Sequence, residues 1–347
     1  MVHRTLTILW RAGAMLAACG ANAQAQTPAE FYKGKQITLL VGSGAGGGYD
    51  AYARTFARHA VRHIPGNPGI IVKNLPAAGG MAAANTLYAN TDKDGLTLAA
   101  HTNGIAMDPL FGNPAARFDG RKFAWLGSIG KLQNVCVVWH ANSVKTIEQA
   151  RLKEVTVAGA GATSNTVLTP KILNALIDTK FKVIAGYEPG QGDAIAMEAG
   201  EVDGVCGLAW STIKASRYTW IADHKVNVIV QLGLHKMADL PDVPSALDLV
   251  TDAASREVLE LILARQEMGR PFAAPPGAPP DRVAALRQAF EATMKDADFL
   301  AEAARANLEV EPVSGAQIDE LLARAYSAPP GIVQRAADLI QPGPQIK

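Results

Sequence analysis

Gln36-Ile37-Thr38-Leu39-Leu40-Val41-Gly42-Ser43-Gly44-Ala45-Gly46-Gly47-Gly48-Tyr49-Asp50 leads into an alanine-rich stretch ending near His63. The apolar run at 37–41 predicts a buried strand, and residues 50–63 predict a helix. Strand, glycine loop and helix together present backbone N–H groups to an anion, because glycine leaves no Cβ between backbone and ligand. Five glycines in the seven positions 42–48 exceed what a plain turn needs. Gly42 to Gly47 spells G-x-G-x-x-G, but a dinucleotide site wants an acidic residue after the next strand, about 20 residues on. Here Ile70-Ile71-Val72 runs into Lys73-Asn74, and no Gly-Lys-Ser/Thr follows the loop, so neither nucleotide motif is complete. The basic side chain that precedes the loop, Lys35, lies at the start of the strand, so the expected donors are backbone amides.

The chain has 347 residues, 48% hydrophobic and 19% charged, which is globular and long enough for two domains. Its formal net charge is +1, and no basic stretch is long enough to track a phosphate backbone, so nucleic acid is not an expected partner. Residues 1–25 read as an export signal: Arg4 and Arg11, an apolar 12–18, and small-residue cleavage sites at Ala21-Asn22-Ala23 or Ala23-Gln24-Ala25. Its loss leaves 31 basic against 32 acidic residues, a net charge of −1. The expected location is the periplasm. Leu16-Ala17-Ala18-Cys19 offers the competing reading of a lipoprotein anchored through Cys19. Cys136 and Cys206 lie in apolar runs and read as two buried thiols, with a disulfide permitted in an oxidising compartment.

Strands are predicted at 37–41, 70–74, 96–101 and 123–129, with helices at 50–63 and 80–89 between them. A second set follows, with strands at 135–139, 155–158, 181–185, 202–208 and 226–231 and helices at 165–177, 192–199 and 211–222. Two βαβ sets predict an α/β fold with parallel sheets in two similar lobes. Residues 271–280, rich in proline, read as a stiff connector; Asp281 reads as the cap of a helix. Ser314-Gly315-Ala316-Gln317 is a capping box, and Pro330 suits the first turn of a last helix. The expected division is 26–132 plus 269–347 for lobe one and 133–268 for lobe two.

At this point five segments resemble, in order, the periplasmic solute-binding proteins of tripartite tricarboxylate transporters, the Bordetella uptake gene family. They are Lys35 to Val41 with Gly46-Gly47-Gly48-Tyr49-Asp50; Asn74-Leu75-Pro76-Ala77-Ala78-Gly79-Gly80; Lys93-Asp94-Gly95-Leu96-Thr97-Leu98; Gly186-Tyr187 with Gly200-Glu201-Val202-Asp203; and Leu240-Pro241-Asp242-Val243-Pro244. The resemblance runs from about Phe31 to Ile340. It implies a two-lobe periplasmic-binding-protein fold, type II-like, with two crossovers and a ligand cleft between the lobes. It also implies capture of a small di-, tri- or aromatic carboxylate, held largely by backbone amides and bridging waters, and its delivery to membrane permease subunits. A monomer without cofactor, metal or catalysis is expected. The sequence departs from the family pattern at Ala45, Ala77, residues 159–165 and Glu188-Pro189-Gly190.

In lobe one the expected ligand contacts are Gly46, Gly47, Gly48, Tyr49, Asp50, Ala78, Gly79, Thr102 and Asn103. In lobe two they are Ala160, Thr163, Ser164, Asn165, Gly190, Asp193 and Trp210. Loops beyond the C-terminal ends of parallel strands line such clefts. Asp50, Asn165 and Asp193 have an alternative use as helix caps, favoured for Asp50 and Asp193. Tyr49 and Trp210 serve equally as cleft walls or as core. His59 and His63 share a helix face at metal-ligand spacing, but Arg58 and Arg62 crowd them. Ser211 to Lys214 spells S-x-x-K without its partner motifs. A sensing or orphan binding protein is the alternative function, and an exported hydrolase a weaker one.

Overall fold

The computed structural model describes residues 26–161, 164–188 and 191–340. The export segment, Cys19, Thr163 and Gly190 lie outside the described residues.

The chain opens with α1 (Pro28–Tyr32), β1 (Gln36–Val41), α2 (Gly48–Ala60), β2 (Gly69–Asn74), α3 (Met81–Ala89), β3 (Thr97–Ala100) and β4 (Ala124–Ser128). It continues through β5 (Asn134–Trp139), α4 (Ile147–Leu152), β6 (Val155–Gly159), α5 (Asn165–Ile177), β7 (Phe181–Ala185), α6 (Gly192–Glu198), β8 (Gly204–Ala209), α7 (Trp210–Ser216), α8 (Tyr218–Ala222), β9 (Val226–Leu232), α9 (Ala246–Leu249) and α10 (Ala253–Glu267). It returns through β10 (Pro271–Ala274), α11 (Pro280–Met294), α12 (Ala297–Arg305), β11 (Val313–Ser314), α13 (Gly315–Tyr326) and α14 (Pro330–Ile340).

Two sheets result. The first has the order β11-β4-β10-β3-β1-β2, the second β7-β6-β8-β5-β9. In the first, β1 runs parallel to β2 and β3, while β10 lies antiparallel between β3 and β4. In the second, β6 is parallel to β7 and β8, and β5 is antiparallel to β8 and β9. β1 is interior, so Ile37, Leu39 and Val41 are all fully buried; β2 is an edge strand whose burial alternates. α2 lays Tyr52, Ala53, Phe56 and Ala60 on the first sheet, where Phe56 packs on Phe272 and Phe290. This is the two-lobe α/β architecture, and no helix among the described residues is long and apolar enough to cross a membrane.

Four expectations need correction. The proline-rich return is not only a connector: its first four residues form β10, with Phe272, Ala273 and Ala274 buried. Proline is tolerated there because Pro271 is the first residue of the strand. Asp281 is not a cap; Pro280 opens α11, and the Asp281 carboxylate stands in its first turn, where the helix dipole favours it. The helix expected at 211–222 is two, broken at Arg217, whose φ of −135° and ψ of 32° leave the helical region. Cys136 and Cys206 are buried as expected but are not free thiols; paired in register on β5 and β8, they form a disulfide. The capping box at Ser314 and Gln317 is present.

The lobes are joined where residues 129–133 pass residues 266–270. Ile129 N donates to Arg270 O at 3.1 Å and Leu132 N to Gln266 O at 2.8 Å. A Cβ on Gly269 would stand 2.6 Å from the Lys131 carbonyl carbon, so the two crossing strands approach as closely as glycine allows. α14, in the segment returning to lobe one, packs on α10 and α5 of the middle segment.

Candidate functional site

Three loops converge at the C-terminal ends of β1, β2 and β3. A Cβ on Gly80 would stand 2.8 Å from Gly42 O and 3.1 Å from Thr102 Oγ1, so glycine sets how closely the loops meet. Thr102 Oγ1 donates to Gly79 O at 3.2 Å. Ala78, a non-glycine residue, is held at φ 52° and ψ 43°, a conformation that costs an L-residue on the order of 1 kcal/mol. The neighbouring Gly46, Gly47, Gly48, Ala78 and Gly79 are all exposed. α2 begins at Gly48 with Gly47 as its N-cap, so its first-turn N–H groups have no partner within the helix and point out of its end.

Asp50 neither caps α2 nor faces solvent. Its side chain is buried in the first turn and accepts from Gly46 N at 2.9 Å, Asn74 Nδ2 at 2.8 Å and Arg54 Nε at 2.9 Å. Asn74 Nδ2 donates further to Ser43 O at 2.9 Å. Burial alone would raise the Asp50 pKa, but these donors hold it down at about 2. Asp50 therefore shapes the glycine loop. It also engages the Gly46 N–H.

Tyr49 ties the first loop to the third: its hydroxyl donates to Asn103 Oδ1 at 2.8 Å and accepts from Asn103 N at 2.9 Å. The structure also brings in two cations that the sequence reading missed. The Arg270 guanidinium lies 4.4 Å from the Tyr49 ring centroid and 4.9 Å from that of Tyr52, with Nη2 3.9 Å from where a Gly48 Cβ would stand. Arg265 lines a cavity of about 40 Å³ between the lobes with Asn103, Asn134, Asn165 and Thr169. Burial raises the Tyr49 phenol pKa, and the charges of Arg270 and Arg265 oppose that rise. Arg54, four residues after Asp50, is engaged by that carboxylate, and Arg270 comes from more than 200 positions away in sequence. No local motif marks Arg270; only the antiparallel β10, entering between β3 and β4, brings it here.

In the second lobe the N-cap of α5 is Ser164, not Asn165, which is the first helical residue and reaches the interlobe cavity. Ala160 is buried, and its N–H donates to Thr166 Oγ1 at 3.1 Å. Asp193 is buried within the first turn of α6, whose cap is Gln191, and its carboxylate accepts from Ala194 N at 2.9 Å. Burial raises its pKa. Trp210 is buried among Val135, Val137 and Ile213, and its indole N–H donates to Asp239 at 3.2 Å.

The enzyme-like pairs have other partners. His59 Nε2 meets Glu302 at 2.6 Å and His63 Nε2 meets Asp296 at 2.7 Å, fastening α2 to the α12 region. Lys214 Nζ lies 2.6 Å from Asp239 and 2.9 Å from Glu309. A cavity of about 420 Å³ lies between α10, α13 and α14, and no residue predicted for the site lines it.

Among solved structures, the chain is similar to a TctC solute-binding protein from Polaromonas, solved without ligand, at TM-score 0.69 and 20% identity over 89% of this chain and 99% of that one. It is similar to MatC from Rhodopseudomonas palustris with bound malate, at TM-score 0.59 and 19% identity over 88% and 99%. A second R. palustris protein, solved with adipate, matches at TM-score 0.62 and 16% identity over 88% and 97%. A UPF0065 protein from the gbd 5′ region of Cupriavidus necator is 24% identical over 94% of this chain and 95% of its own. Residues 53–336 match the family described as tripartite tricarboxylate transporter family receptor, and with its two α/β lobes the chain belongs to that family.

Proposed function

We propose that this chain is a periplasmic receptor that captures a small carboxylate and delivers it to the membrane subunits of a tripartite tricarboxylate transporter, without chemistry of its own. The observation that carries this reading is the exposed set of backbone donors at Gly47, Gly48, Ala78 and Gly79 at the start of α2 and the end of β2. Helix N-termini favour anions, and amides read a carboxylate without fixing the rest of the molecule. The malate and adipate found in its structural neighbours are of this chemical class. Export through residues 1–25 and a division at 26–132 plus 269–347 against 133–268 complete the reading.

A thermal-shift screen with acetate, succinate, malate, adipate, citrate and benzoate tests it. At 100 times Kd a ligand adds about 2.7 kcal/mol of stability and raises the melting temperature by a few degrees. A rise with at least one of these acids is expected. No rise with any of them at millimolar concentration contradicts the proposal.

A further inference from the structure

Four arginines of the first lobe meet carboxylates: Arg54 meets Asp50, Arg58 meets Glu302, Arg62 meets Asp296 and Arg287 meets Asp319. Arg282 instead donates to Asp94 O and lies over the Phe31 ring, away from the glycine loops, whereas Arg270 stands beside them. Arg270 Nη1 donates to the neighbouring Gly269 O at 2.9 Å, its side chain meets the Tyr49 hydroxyl, and its Nε is buried with no hydrogen-bond partner among the described residues. The backbone fixes its position, since Arg270 N donates to Ser128 Oγ at 2.9 Å and Arg270 O accepts from Ile129 N at 3.1 Å. The rings of Tyr49 and Tyr52 hold the guanidinium beside the first turn of α2, with Nη2 directed at Gly48. A partly buried charge without a counter-charge is costly, and the aromatic faces offset only part of that cost.

We propose that Arg270 is a ligand-binding residue, its guanidinium pairing with the same anionic group that the α2 amides receive. This rests on the carboxylate-receptor reading and adds to it a side-chain contribution. Amides and a helix dipole accept any small anion or polarised oxygen. A guanidinium adds a full charge and a planar pair of donors matched to a carboxylate, so the site discriminates a carboxylate from the corresponding carboxamide. Arg265 is not assigned this role, because its Nη2 already has Asp108 at 3.5 Å. The position of Arg270 at the crossing between the lobes also means that a bound anion neutralises a charge next to the hinge.

Calorimetric titration of malate, adipate, citrate and benzoate into the parent, Arg270→Gln and Arg270→Lys tests the proposal, with circular dichroism as the folding control. For each acid that the parent binds, Arg270→Gln is expected to weaken binding roughly 10- to 100-fold, the range for a lost charged hydrogen bond. Arg270→Lys should fall in between, keeping the charge but not the planar fork. Binding by Arg270→Gln within twofold of the parent overturns the proposal while leaving the receptor reading intact. A parent that binds none of the four, nor acetate nor succinate, overturns both. If Arg270→Gln does not fold, a structure of the parent with bound acid decides. A carboxylate oxygen about 3 Å from an Arg270 nitrogen is the expected result. A carboxylate seated elsewhere overturns it.

Discussion

Asp50 engages both carboxylate oxygens within the first lobe, one on Asn74 and the other on Gly46 and Arg54. Asp50→Asn should leave part of this network unmatched, costing about 1–3 kcal/mol in urea unfolding and weakening ligand binding as the loop loosens. Unchanged binding would show that the loop holds its shape without the carboxylate. His101 is the other single residue with a measurable signature. It is buried between Phe123 and Trp125, neither ring nitrogen has a hydrogen-bond partner among the described residues, and burial pushes its pKa down to about 3. Because the folded pKa lies below the ordinary value of 6.5, its stabilising effect is complete above pH 6.5 and lost as pH falls toward 3. From pH 6.5 to 5 the parent should lose about 2 kcal/mol through this residue, at about 1.4 kcal/mol per pH unit. His101→Leu should flatten that part of the profile; an equally steep fall in the variant would place the acid sensitivity elsewhere. Asp50 acts lower, its contribution fading only as pH drops below 4 toward 2.

At the scale of elements, the strands with long apolar runs were legible from sequence because 37–41, 135–139 and 226–231 carry their own signal. β10 was not. Pro271-Phe272-Ala273-Ala274 is short, begins with proline and runs into Pro275-Pro276; its strand state comes from partners far away in sequence, Ala99 and Ala100 on β3 and residues 124–128 on β4. The same limit hid Arg270, since a residue that joins a site through long-range pairing leaves no local pattern. Helix caps were read to within a few residues, which placed Asp50 and Asn165 one to three positions from their true roles. The disulfide also belongs to this scale. It links β5 to β8 across a sequence separation of 70, and restricting so long a loop in the unfolded chain is worth roughly 4 kcal/mol. Cys136→Ala/Cys206→Ala should lower stability by up to that amount in denaturant titration. An unchanged midpoint would mean that the cross-link contributes nothing to the native fold.

For the whole molecule, two lobes joined by two crossing segments suit the proposed role, in which the lobes close on an anion. The resemblance read from ordered sequence segments anticipated this architecture; what it left open was which side chains join the amides. One tie between lobes is visible away from the glycine loops, where Lys214 of α7 meets Glu309 of the returning segment at 2.9 Å. Both side chains are more than a third exposed, so Lys214→Ala should change ligand affinity by less than about threefold, an outcome calorimetry can check. The central claim is that the start of α2 is the carboxylate seat, and Gly47→Val tests it most directly. Gly47 has φ −79° and ψ 169°, open to any residue, and an added Cβ would meet only Gly44 O at 3.5 Å. The variant should fold, with its side chain in the space the carboxylate needs. The measurement is the melting temperature of parent and variant with and without the acid that shifts the parent most. The account predicts a rise of a few degrees for the parent and none for Gly47→Val; an equal rise in both would contradict it.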